Sequence, residues 1–422
     1  MSSSPSSAAP PGQPSHGEFV AMIALLVSLV ALSIDAMLPA LPRIGADLGV
    51  TDANRTQQVI TTLMVGMAFG QLLYGPISDS TGRKPMVFSG LVIFAVGCLL
   101  SLFAQSFTTM LVGRFLQGLG VAGPRSVSMA LIRDLYAGRA MAEIMSTIMS
   151  VFILVPILAP FLGQAVLAVA DWRAIFTVFL LLGLGVATWF GLRQPETLTP
   201  GKRHPLSFAE LGRSAAIVLR QRCAMGFTVA AGVSSGAFIG YLSSSQQIFV
   251  GIYGVGDLFA LYFGLVAASI GVAALVNRRL VSRHGMFHLT RRALQTNSVL
   301  SLLYLAVTLA YTGIPPFVTL MLYLLATFFF VGIVFGNINA LAMETLGDVA
   351  GVGAALVASV SLAIAVALGG AIGQMLDGTL VPFVGGYSVL SVSALGILHW
   401  AERGRPAART STVVPGVVEE RT

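Results

Sequence analysis

Apolar stretches of roughly 20 residues recur from one end of this chain to the other, and few folds can accommodate that spacing. A helix rises about 1.5 Å per residue, so about 20 residues cross a hydrocarbon core about 30 Å thick. Twelve spans can be counted, beginning with 19–40, 55–77, 86–105 and 108–133 and ending with 350–376 and 380–400. Inside lipid the backbone must satisfy its own hydrogen bonds, which selects helices for stretches of this length. Composition agrees, with 56% hydrophobic and 10% charged residues against about 25% charged in soluble domains. The expected fold class is an all-α integral membrane protein with 12 transmembrane helices.

The net charge of +7 is a statement about topology rather than about nucleic acid. With both termini on the cytoplasmic side, 19 Lys and Arg fall in cytoplasmic segments, only Arg43, Arg55 and Arg173 fall opposite, and Arg114 and Arg125 lie inside a span. That asymmetry follows the positive-inside rule and orients a multi-pass membrane protein; the expected location is the bacterial inner membrane. No nucleic-acid partner is expected; the lipid bilayer is. The opening MSSSPSSAAPPGQPSHGE carries no Lys or Arg ahead of the first apolar run, so it reads as a disordered tail rather than a cleavable signal.

The polar, basic segment Arg193 to Arg222 separates six spans from six. The predicted organisation is a cytoplasmic tail at 1–18, a six-helix bundle at 19–192, a cytoplasmic linker at 193–222, a second six-helix bundle at 223–402 and a tail at 403–422. A weak internal echo supports two related halves: DSTGRK after the second span and NRRLVSRHG after the eighth, with Gly82 and Gly285 in corresponding places. The two cysteines, Cys98 and Cys223, fall at different depths and read as packing residues rather than a disulfide.

Charge inside the spans is sparse enough to be informative. Asp35, in SIDAMLPALP, is predicted about 8 Å from the outer end of the first span, and an isolated carboxyl in hydrocarbon costs about 2.5–3.5 kcal/mol to insert. Arg114, in RFLQGLGVAG, is predicted about 9 Å deep from the same side, so the two share a depth. The proton affinity of Asp35 then depends on a geometry that relative motion of helices can change, which is what a proton switch requires. Gln117 and Gly118 lie on the Arg114 face, and Arg125 returns to nearly the same face.

Between the second and third spans, GQLLYGPISDSTGRKP places an acid, a glycine and two cations on a short turn. In the fifth span, VPILAPFLGQAV combines Pro156 and Pro160, which each remove a backbone donor, with small residues that allow close packing. The pairs Gly66–Gly70 and Gly369–Gly373 read as helix packing. In AFIGYLSSSQQ, Phe238 and Tyr241 share a helix face beside amide groups and form a possible pocket wall, with core packing the alternative. No phosphate-binding loop is present, the five His are scattered, and no paired nucleophile and base can be nominated. Neither an enzyme, nor a cofactor, nor a metal site is expected.

Together these motifs resemble the major facilitator superfamily, and within it the twelve-span drug/proton antiporters of the bicyclomycin, chloramphenicol and florfenicol resistance (Bcr/CflA) group, over about residues 19–400. The resemblance implies two six-helix bundles that rock around a central cavity, acting as a functional monomer on small molecules and protons. It implies proton coupling by Asp35 and Arg114, and cargo contacts from Asp35, Gln117, Phe238 and Tyr241. It further implies gating by Gly75, Asp79, Gly82, Arg83 and Lys84, with Asp79 paired to a cation such as Arg133, and by Pro156, Pro160 and Gly163. Ser80 stands where the family pattern has Arg, Ala159 where it has Gly, and Gln164 where it has the last Gly. The expected function is proton-coupled export of small amphiphilic compounds, phenicol-type or similar. A proton-coupled metabolite importer on the same fold and a non-transporting membrane sensor are the alternatives.

Overall fold

The computed structural model describes residues 14–199, 201, 203, 207–344, 346 and 350–404. Residues 1–13 and 405–422 of the predicted tails (1–18 and 403–422) lie outside the described residues. Twelve long helices make up the fold: α1 His16–Asp35, α2 Gln58–Thr81, α3 Arg83–Leu102, α4 Phe107–Leu135, α5 Gly138–Val169 and α6 Arg173–Arg193, then α7 Arg222–Gln246, α8 Phe259–His284, α9 Met286–Ala310, α10 Phe317–Met343, α11 Ala350–Gln374 and α12 Val381–Glu402. Eleven of the spans are long and apolar enough to cross a membrane by length and composition. The exception is α4, whose polar load includes Arg114, Gln117 and Arg125. Large apolar side chains point outward, with Leu181, Leu322 and Val318 exposed by 65%, 64% and 68%. An exposed apolar girdle of this extent is what a lipid-facing surface looks like.

The helices pack as two related bundles. In the first, α4 packs on α2 and α3, α3 on α6, and α1 on α5; in the second, α10 packs on α8 and α9, α9 on α12, and α7 on α11. The bundles meet along two equivalent seams, α2 against α11 and α5 against α8. Gly82 and Gly285 occupy the matching breaks between α2 and α3 and between α8 and α9, with φ of +113° and +76°. A Cβ is strained at such angles, so glycine permits the sharp reversal in both halves.

Three boundaries differ from the expectation. The first helix starts at His16, inside the predicted tail, because Ser15 accepts from the Glu18 amide and caps it. The charged turn after the second span shrinks to one residue, since α2 stays helical through Pro76 to Thr81 before Gly82 breaks it. The linker contains a helix of its own, Phe208–Arg220. Both cysteines are buried, and neither is in a disulfide.

Candidate functional site

Asp35 closes α1, and its side chain is withdrawn from solvent, 4% exposed. Its carboxyl makes no hydrogen bond or ion pair with any described residue. Two features put it at the junction of the bundles. The Leu38–Ala40 turn just after it packs on α7, and Asp35 lies within electrostatic range of the Tyr241 hydroxyl on that helix. Gly163 of α5 faces the Ala36 carbonyl, so the missing side chain lets α5 close over the end of α1.

Tyr241 is itself fully buried, and its hydroxyl has no hydrogen-bond partner. Its ring stacks on Phe263 at 5.7 Å and meets Phe328 edge-on at 4.5 Å. Phe238, half-buried, contacts Phe328 at 6.0 Å and Phe335 at 5.5 Å. Asp35 therefore confronts an aromatic wall contributed by the opposite bundle. Aromatic faces accept flat apolar groups, and the orphaned hydroxyl is an unused donor within electrostatic range of the carboxyl.

Arg114 is completely buried and shares the Asp35 depth as expected, but it does not pair with it. Its Nε donates to the Val59 carbonyl at 2.9 Å, one terminal nitrogen to Gln117 Oε1 at 2.7 Å, and the other to the Ser33 carbonyl at 2.8 Å. Gln117 passes the network on, donating to the Gly97 carbonyl at 3.0 Å and to Ser101 Oγ at 2.9 Å. One guanidinium and one amide thus tie α1, α2, α3 and α4 together. Gln117, expected among the cargo contacts, is buried with its amide fully engaged and belongs to this scaffold.

At the linker end, the expected pairing of Asp79 with Arg133 is replaced by another. Asp79 pairs with Arg83 at 2.5 Å, and Arg83 also reaches Asp134 at 2.9 Å and Ser78 Oγ at 2.7 Å. Arg133 is exposed and makes no bond to a described residue. On a helix, adjacent residues point about 100° apart, so Asp134 faces Arg83 while Arg133 faces away. Glu196, a linker residue that the motif reading missed, accepts from the Arg83 and Lys84 amides at 3.0 and 2.9 Å. A carboxylate on the first amides of α3 satisfies orphan donors and complements the helix dipole. A Cβ on Gly82 would lie 2.7 Å from Glu196 Oε2, so the glycine is needed for space as well as conformation. Lys84 Nζ donates to the Gly191 carbonyl at 2.7 Å. The cluster links the first bundle to the linker. Gly75, by contrast, lies at the seam between bundles, where a Cβ would stand 3.8 Å from Ala355 of α11.

Pro156 and Pro160 lie within a continuous α5, and this helix forms the seam with α8. Ile153 and Ile157 of α5 lie against Gly271 and Gly264 of α8.

The fold, a pair of equivalent six-helix bundles, has a counterpart among known proteins. The Major Facilitator Superfamily model matches residues 23–374. The chain belongs to the major facilitator superfamily. Its relatives include the bicyclomycin resistance protein homolog of Haemophilus influenzae, 31% identical over 383 residues covering 89% of this chain and 94% of that one. The multidrug resistance protein MdtL of Klebsiella pneumoniae is 33% identical over 183 residues, 42% of this chain and 46% of that one. The crystal structure of a bacterial homolog to the human lysosomal transporter Spinster, in an inward-facing and occupied conformation, superposes with a TM-score of 0.69 at 14% identity, covering 93% of this chain and 98% of that one. The protein is thus a multi-pass membrane transporter of the major facilitator fold, and the family is one of carriers rather than enzymes.

The seam at the end opposite the linker, also missed in the sequence, is built from side-chain amides. Asn54 donates to the Gln374 and Leu376 carbonyls at 3.2 and 2.8 Å, and Gln374 returns a bond to the Asn54 carbonyl at 2.6 Å. Gln57 donates to Gln247 Oε1 at 2.6 Å and to the Gly373 carbonyl at 3.2 Å, and Gln247 donates to Asn54 Oδ1 at 2.9 Å. Gln164 adds a bond to the Gly256 carbonyl at 3.2 Å. All seven bonds join one bundle to the other. Gly373 makes room for Gln57, since a Cβ there would collide with the Gln57 amide oxygen. Gln57→Ala removes two of the seven and is expected to raise the population open at this end several-fold; site-directed spin-label distances across the seam measure it, and an unchanged distance distribution would show that the amides do not hold it shut.

Proposed function

We propose that this transporter exports small amphiphilic compounds in exchange for protons, by alternating access of a site between the bundles. The observation that carries the reading is Asp35: a buried carboxyl without a protein partner, facing an aromatic wall on the other bundle. An acid so placed is stable when protonated and costly when charged, so opening the site to one side or the other changes its proton occupancy. Cargo lies against Phe238 and its aromatic neighbours, and the Tyr241 hydroxyl bonds either cargo or the Asp35 carboxyl. Arg114 acts on Asp35 as a positioning residue, because it holds the Ser33 carbonyl two residues away.

The positive-inside bias supports a cytoplasmic linker end with both termini in the cytoplasm, and on that orientation the amide seam closes the outer side. Relatives named for bicyclomycin and multidrug resistance support outward export of drug-like cargo, phenicols among the candidates. The carrier works as a monomer, since the seams, the acid and the wall all come from one chain. The reading is tested by purified protein in proteoliposomes carrying a pH-sensitive dye: a phenicol or other compound chosen by a resistance screen in an exporter-deleted host is expected to release protons from the lumen at least about tenfold faster than in empty vesicles. Compound-driven uptake with proton movement in the same direction would favour an importer instead.

A further inference from the structure

Arg125 is a guanidinium far from either end of its span that the mechanism above does not use. It lies on α4, eleven residues after Arg114, which returns it to within about 20° of the same helix face. Around Arg114 that face is closed by Val59 of α2 and Ser33 of α1. Farther along α4 the contacts on α2 move round the helix, from Leu119 and Ala122 against Gly66 and Gly70 to Gly123 against the Tyr74 ring. Arg125 and its neighbours Ser126 and Met129 are left partly exposed.

The opening and the most exposed apolar face of α4 point in different directions: Val112, its most exposed large apolar residue at 49%, lies about 140° around the helix from Arg125. The side chain does not escape to a membrane surface, since ten residues, about 15 Å, separate it from the end of α4 at Leu135. Among the described residues Arg125 has no carboxylate, carbonyl or hydroxyl partner. Arg114, with its three acceptors, shows what this bundle does with a structural guanidinium.

A cation held in the membrane interior without a counter-charge is costly, and its default reading is functional. We propose that Arg125 is a cargo-binding residue that takes the carboxylate of an anionic amphiphile, whose apolar body lies against the aromatic wall of the second bundle. The fork of a guanidinium suits a carboxylate in two-pronged fashion, and burial strengthens the pair. Arg114 and Arg125 together outnumber the Asp35 carboxyl, so an entering anion brings these three groups nearer charge balance than a neutral or cationic guest does. This specificity rests on the exporter reading for the existence of a transport pathway.

The test uses the full chain in nanodiscs and two ligands of one shape, naphthalene-1-acetate and naphthalene-1-acetamide, with Arg125→Gln and Arg125→Lys as variants. Wild type is expected to bind the acetate about tenfold to a hundredfold more tightly than the amide, the factor carried by a charge-assisted hydrogen bond. Arg125→Gln loses the preference and Arg125→Lys keeps part of it, while both retain the wild-type gel-filtration profile. Equal affinities in wild type, no binding of either ligand, or a preference that survives in Arg125→Gln overturns the proposal. Drug-dependent proton exchange by the wild type, measured separately, distinguishes the two failures: its absence sinks the exporter reading and leaves the anion preference to be judged by binding alone.

Discussion

Asp35→Asn is expected to be made, inserted and folded normally, to bind cargo, and to lose proton-driven export. The amide matches the protonated carboxyl in shape and neutrality, so the aromatic wall and the end of α1 keep their packing. It cannot release a proton, so the resetting step of the proposed cycle is expected to be lost. Resistance in an exporter-deleted host is expected to fall to the level of the empty vector, and drug-dependent proton exchange in proteoliposomes to fall by at least about tenfold, a change in barrier of about 1.4 kcal/mol or more. Asp35→Glu, which keeps a titratable group but displaces it by one methylene, is expected to lie between. Full proton exchange by the Asn variant would remove Asp35 from the coupling step.

The second large effect is on the scaffold. Arg114→Lys keeps the charge and loses the fork: a single ammonium nitrogen cannot stand where three separate guanidinium nitrogens meet Val59, Gln117 and Ser33. At least one buried acceptor is left unsatisfied, at about 1–3 kcal/mol each. The variant is expected to unfold at a lower temperature in detergent and to transport less, because the Ser33 carbonyl that sets the end of α1 is released. Melting followed by intrinsic fluorescence reads the first effect and efflux the second. A variant as stable as wild type would mean that the network does not hold the four helices together.

Much of this architecture was legible because hydrocarbon imposes so strict a length. Apolar runs marked the spans, and Gly82 and Gly285 marked two places where the chain reverses between helices at positive φ. The common depth of Asp35 and Arg114 followed from rise per residue alone. Their contacts did not, because a guanidinium is satisfied by carbonyl oxygens that every residue possesses and no motif records. The difference between Arg133 and Asp134 as the residue facing the turn was one position, or about 100° of rotation, finer than an estimated helix end allows. Glu196 was hidden in a linker read as polar filler. The amide seam was hidden differently: Gln247 was noticed as a neighbour of the aromatic residues, whereas Asn54, Gln57 and Gln374 sit at helix ends where any polar residue looks solvated. Several amides at the same ends of different spans are the signal that was available.

That seam has a thermodynamic consequence. Each of its bonds joins neutral groups, and water on opening can satisfy the same donors and acceptors, so the net worth of each is about 0.5–1.5 kcal/mol rather than its gross strength. Seven bonds closed in parallel then hold this end by a few kcal/mol once the entropy of fixing long side chains is set against them. No ionisable group takes part in these bonds, so their strength varies little with salt or pH. The closure works as a weak spring of constant stiffness, and a difference of a few kcal/mol in how one guest fits the two states is enough to throw it.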